Sequence, residues 1–244
     1  MKKQFSNFTL SIVVAGLAVI FTGCGIPSVH PLFESTDLVN DEQIQGVWVR
    51  SDNTIKFHVM RVGDLRDQLQ AKKDSLANSG GSDSDGNVDE DFGAIEYLDD
   101  LISRDLGNLY FIQNEEEPEE FYLAGLVEIG GELYFDFFKV DFELSKFSYP
   151  VHLFMKVSIA SDELIMHMFS EEWLKEQIKN RQIRIQLEVN QDDNYLLTAP
   201  TRDLKKFVEK YGSIEDAYRH QYTYRKVGIE PRFVFEEPDI EEEG

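Results

Sequence analysis

The chain holds one thiol, Cys24, and five histidines, set among 46 acidic side chains. A serine or cysteine nucleophile needs a base within reach, and the short motifs that bring the two together are absent. There is no Gly-x-Ser-x-Gly elbow and no Ser-x-x-Lys pair. There is no His-Glu-x-x-His for a zinc hydrolase and no glycine-rich phosphate loop. Triads assemble in space as well as in sequence, so an enzyme would announce itself by a clustered, partly buried His–carboxylate pair in a cleft. Two metal arrangements deserve weighing. His152, Met155, Met166, His167 and Met168 are soft ligands on neighbouring strands, a set that suits copper. The methionines fall on apolar alternating faces, however, where thioethers fill gaps in a core. In the acidic stretch 78–93, Gly86 aligns with the fixed glycine of an EF-hand loop, and Asp83, Asp85 and Asp89 fall on ligand positions. Gly81 and Phe92 then occupy the two ends, where Asp and Glu are required. The expected set of catalytic residues, metals and cofactors is therefore empty.

The thiol has a different setting. Lys2 and Lys3 precede an uncharged run from Phe8 to Phe21, and Thr22, Gly23 and Cys24 follow. A basic start, a short apolar run and a small-residue exit describe a secretory signal peptide. The run is shorter than the roughly 20 residues needed to cross a bilayer as a helix. Thr22-Gly23-Cys24 resembles the lipobox of bacterial lipoproteins, with Phe21 where that group usually has Leu. The resemblance implies that the chain is cut before Cys24 and that Cys24 carries diacylglyceryl and palmitate-type acyl chains. Gly25, with no acid at that position, resembles the pattern that sends such proteins to the outer membrane.

Removing residues 1–23 leaves 221 residues and moves the formal charge from −22 to −24, since the leader carries two lysines and no acid. That length suits one core. So acidic a surface repels nucleic acid and anionic headgroups, which excludes both as electrostatic partners. Membrane attachment would come from the lipid and not from a basic patch. With no second cysteine there is no internal disulfide, and packing must supply the stability.

The elements that position these residues read mainly as strands. Ile55, Phe57 and Val59 alternate with Lys56, His58 and Met60, and such period-two patterning places one set on a buried face. Strands are predicted at 46–50, 54–60, 108–113, 120–129, 132–142, 151–159, 163–169, 183–189, 195–199 and 222–227. Gly130-Gly131 marks a tight hairpin. Helical spacing appears at 64–76 and around Ile95, Leu98 and Ile102. Ser170 caps a third helix, and Pro200 to Gly212 bounds a fourth. Residues 24–42 read as a lipidated tether, 43–235 as a single domain with a mobile acidic insertion at 78–93, and 236–244 as an acidic tail. The fold class expected is mainly β with flanking α: an antiparallel up-and-down barrel or strongly curved sheet with three to four short helices.

Gly46-Val47-Trp48 in the first strand resembles the Gly-x-Trp of lipocalin-type barrels. That resemblance implies that Arg225, in the last strand, packs across Trp48. "VHPLFES", "GVWV", "YPVHLFMKV", "EEWLKEQI" and "LLTAPTRDLKKFVEKY" together resemble a group of bacterial envelope lipoproteins of unassigned function, from about Cys24 to Tyr211. Two functions are expected to compete. One is a lipid-anchored barrel that binds a small apolar ligand or lipid in its cavity. The other is a structural or assembly lipoprotein that works through surface contacts, with a protein partner left open. A hollow lined by Phe and Leu would favour the first, and a filled core the second.

Overall fold

The computed structural model describes residues 25–79, 87–118, 120–140 and 151–233. In chain order the elements are a two-residue β1 (Pro27–Ser28), the hairpin β2 (Gly46–Arg50) and β3 (Lys56–Arg61), and the helices α1 (Val62–Ser79) and α2 (Asn87–Ser103). Then come β4 (Tyr110–Asn114), β5 (Phe121–Ile129), β6 (Glu132–Val140), β7 (His152–Ala160) and β8 (Glu163–Phe169). α3 (Glu171–Lys179), the short β9 (Leu187–Val189) and β10 (Tyr195–Leu197), and α4 (Thr201–Tyr211) precede the last strand, β11 (Tyr218–Gly228).

Strands β2 to β8 each pair antiparallel with the next, and β11 pairs with both β8 and β2. The result is a closed eight-stranded up-and-down barrel with four α-helices among the described residues. Closure removes the free edges that an open sheet would expose. Pairing carries the interior set around the wall in register. Trp48 lies opposite Phe57, Ile112 opposite Tyr122, Leu126 opposite Phe135, Phe135 opposite Met155, and Val157 opposite Met166. These residues share one apolar cluster, the inside of the barrel.

The outward faces of β4 to β8 pack into a second cluster. Leu65 and Leu69 of α1 and Ile95, Leu98 and Leu101 of α2 join Phe111, Phe121 and Leu123 of the wall there. Leu204, Phe207 and Val208 of α4 join the same cluster, with the Phe207 ring 5.8 Å from that of Phe169.

Local chemistry explains most of the boundaries. Gly130 and Gly131 take φ of 64° and 81°, the left-handed pair a two-residue hairpin turn requires. Ser170 Oγ accepts from the Trp173 N–H at 3.2 Å and starts α3. Several elements differ from expectation. The strand expected at 183–189 is only Leu187–Val189, and β11 begins four residues before 222, at Tyr218. In α2 it is Leu101 that is buried, at 3 % exposure, while Ile102 is 38 % exposed. The insertion at 78–93 is helical where α1 reaches Ser79 and where α2 restarts at Asn87, and its middle, 80–86, lies outside the described residues.

The largest departure is at the start. The segment read as a tether is seated on the barrel: Ile26, Leu32, Phe33 and Leu38 are buried. Apolar residues at these spacings cover wall that the helices leave bare.

Candidate functional site

Cys24 and the leader before it lie outside the described residues, as does the tail from 234. Among the described residues no helix is long and apolar enough to cross a membrane. The barrel is therefore considered from its two ends.

One end is closed. Trp48 is wholly buried, and its indole N–H donates to the Ile44 carbonyl at 2.7 Å. Tyr110 Oη receives the Asp41 N–H at 2.8 Å, so the turn at 41–44 is pinned across this end, and burial pushes the Tyr110 phenol up to about 12. Gly46 has a φ of 138°, and a Cβ there would meet the Gly228 carbonyl at 2.6 Å, so the meeting of β2 and β11 needs glycine. Arg225 does not cover Trp48. It pairs with Val49 and Glu163 and is exposed. The cation over the indole is Lys226, 5.0 Å from the ring, which also donates to the Gln43 carbonyl at 2.5 Å. The reason is strand alternation: Lys226 lies opposite Trp48 and shares its side of the wall. Burial holds the Lys226 ammonium below its ordinary value.

The other end is open. A cavity of about 70 Å³ is lined by Ile55, Phe57, Ile112, Phe135, Met155 and Met166, with Arg50, Asn114, Tyr122, Phe137 and Tyr222 towards the mouth. An eight-stranded barrel is just wide enough either to be filled by side chains or to hold one small ligand. Here large interior side chains take most of the space; Phe57 packs edge-on against Tyr224, ring centres 4.9 Å apart. What remains is room for a handful of waters at roughly 10–15 Å³ each, well under the roughly 300 Å³ of a drug-sized pocket. The lining is almost wholly apolar. Arg50, which lines the mouth, is bonded to Asp52 at 2.8 Å and to Thr54. The Arg50 guanidinium and the Thr54 hydroxyl hold the Asp52 carboxyl well below its usual range. The site offers contact and exclusion of water, with little polar readout.

A buried His–carboxylate pair does exist, on the outside of the wall. Asp136 of β6 is fully buried and lies 2.9 Å from Nδ1 of His152 on β7. Its other oxygen accepts the Leu32 N–H at 2.5 Å. Burial pushes the Asp136 carboxyl up, while His152 and the Leu32 N–H pull against it. Ser28 pairs in register with His152, but its hydroxyl donates to the His30 carbonyl at 2.8 Å. Phe33 and Phe138 close over the imidazole, ring centres 6.5 and 5.0 Å away. The pair sits under the N-terminal segment and not in a cleft. Its geometry is that of a latch, and it holds that segment down. Thr201 Oγ donates to the Pro31 carbonyl at 2.7 Å, and Lys205 meets Asp37 at 2.8 Å, which fastens the segment to α4 as well. Sequence reasoning passed over Asp136. The signal was a lone acid at an outward position of the apolar run "YFDFF".

The copper ligands are not brought together. Met155, Met166 and Met168 point into the barrel, whereas His152 faces the N-terminal segment and His167 packs near the Tyr218 ring on the opposite face of β8 from Met166 and Met168. The aspartates of the EF-hand-like stretch are not among the described side chains. Among the described residues no group of three or more His, Cys, Asp or Glu could hold a metal. His58, without an evident partner in sequence, bonds Glu115 at 3.1 Å and accepts the Arg232 N–H at 3.0 Å. Set against protein families, curated proteins and solved structures, the chain matches none of them.

Proposed function

We propose that the protein is a lipid-anchored cell-envelope protein, held at the outer membrane by acyl chains on Cys24, whose barrel takes a small apolar ligand at its open end. The observation that carries the ligand reading is the apolar cavity, closed at the Trp48 end and open at the Tyr222 end. Its size decides what fits. At about 70 Å³ it admits one small apolar group or the end of a chain, and not a whole lipid. The anchor reading is supported by Lys2, Lys3, the apolar run to Phe21, and Thr22-Gly23-Cys24. Two or three chains at ~0.8 kcal/mol per buried CH2 hold stably where one holds marginally.

Methionine methyl NMR tests the cavity. Met155 and Met166 line it, while Met60 packs in the outer cluster. Titrating the soluble domain with toluene should shift the Met155 and Met166 methyls saturably and leave Met60 in place. A Val59→Phe variant, which fills the space, should lose the response. No shift, or the same shift in the filled variant, sinks the ligand reading and leaves a protein that works through its surface. The anchor is tested by metabolic labelling with a fatty acid, in which Cys24→Ser should lose the label; equal labelling ends that reading.

A further inference from the structure

The described chain begins at the open end of the barrel. A Cβ on Gly25 would lie 2.6 Å from Leu153 Cδ1 and 2.7 Å from Met168 Sδ. Both of those side chains belong to the interior cluster. Leu153 lies opposite Phe137, and Met168 opposite Met155; Phe137 and Met155 line the cavity. Immediately after Gly25, β1 takes the place beside β7 that β8 vacates, with Pro27 opposite Leu153 and Ser28 opposite His152. The segment has no slack: the Val29 N–H bonds the Leu197 carbonyl at 2.9 Å, and the Leu32 N–H bonds Asp136. Gly25 is the residue that follows Cys24 in the sequence, and neighbouring Cα atoms are about 3.8 Å apart.

From this we infer that the open end of the barrel faces the membrane, and that the cavity takes the apolar end of an acyl chain entering from the bilayer. The inference rests on the lipid-anchor and cavity readings above. A lipid on Cys24 lies in the membrane, and Gly25, the next residue, is seated against Leu153 and Met168, which keeps the barrel's open end close to it. The rim suits that position. Tyr122, Phe137 and Tyr222 are half-buried there, and such rings favour the headgroup layer. Three acids at the rim are each bonded to a base: Asp52 to Arg50, Glu115 to Lys56, and Glu120 to Lys139. Glu116 is exposed in the same turn and the chain is strongly acidic, so the surface fits a zwitterionic bilayer better than an anionic one.

The test uses the full lipidated chain in phosphatidylethanolamine vesicles with tritiated acyl chains. p-Benzoylphenylalanine is placed at Phe137 or Tyr222 on the mouth, or at Glu163 in the turn at the closed end. Photolabelling by lipid should be several-fold stronger at 137 and 222 than at 163. Equal or reversed labelling overturns the orientation. Photo-methionine at the native positions reads the cavity itself: acyl label on Met155 or Met166 supports the chain as ligand. Rim labelling with both methionines unlabelled overturns the acyl ligand while the orientation stands. Toluene binding together with unlabelled methionines leaves the cavity reading intact and rejects only the acyl chain.

Discussion

The two faces of the barrel wall are filled in different ways. The inner face is mostly apolar and leaves a cavity; the outer face between β4 and β8 is packed to contact and includes a buried His–carboxylate pair. Both are built from the same strands, alternating residue by residue. The difference comes from what each face can recruit. The inner diameter follows from strand number, so the inside cannot contract around its side chains. The outer face is covered by separate segments, α1, α2, α4 and the N-terminal stretch, each free to settle until gaps close. Rigidity and vulnerability should therefore lie outside, and tolerance inside.

The largest effect should come from Asp136→Ala. It strips His152 and the Leu32 N–H of their partner, and each buried polar group left unsatisfied costs about 1–3 kcal/mol. Urea unfolding should show it, and Asp136→Asn, which keeps an acceptor for Leu32, should lose less. An Asp136→Ala protein as stable as wild type would remove the latch from the account.

Gly125→Ala comes next. A Cβ there would lie 2.6 Å from Phe33 Cε1 and 3.0 Å from Leu38 Cδ2, so the N-terminal segment must lift. Overpacking of this kind costs about 1–3 kcal/mol. Limited proteolysis should find cleavage between residues 25 and 40 before the barrel opens.

A smaller effect is expected from pH. Burial works to raise the Asp37 carboxyl, but Lys205 and the Glu34 backbone outweigh it, and its pKa is lowered in the folded protein. A depressed carboxylate stabilises above its unfolded pKa, and the contribution is lost as pH falls through the folded value. Stability measured from pH 5 to 3 should fall less steeply in Lys205→Met than in wild type. Equal slopes would separate this ion pair from the seating of the segment.

The smallest effect belongs to the inside. Val59→Ile adds one methylene next to the cavity and should change stability by less than about 1 kcal/mol in either direction. A loss of 3 kcal/mol or so, as for a void-free core, would erase the contrast between the faces.

The barrel was legible because its signal is local and repeated. Each of the long strands carries the period-two pattern in its own residues, and Gly130-Gly131 and Ser170 mark ends where chain geometry favours those types. Gly212 is instructive, since its φ is −67° and glycine is needed there for another reason: a Cβ would strike the Tyr134 hydroxyl. The cation over Trp48 is Lys226 and not the expected Arg225, one residue away, because register between β2 and β11 is set by pairing and not by composition. The strands expected at 183–189 and 195–199 were overestimated: Ile183, Leu197 and Ala199 are buried, but only Leu187–Val189 and Tyr195–Leu197 pair with each other.

By itself the sequence determined the class of fold and the alternation that gives each long strand a buried side, because these depend on spacing and on the chemistry of neighbours along the chain. Only the tertiary structure decided that Asp136 meets His152 and Leu32, that residues 25–40 are part of the wall's covering, and that Gly25 stands at the mouth of the cavity. Asp136 and Leu32 are 104 residues apart in sequence, and a contact across that distance has no local signature. It exists only once the closed barrel has put β5, β6 and β7 side by side and left one strip of their outer face uncovered.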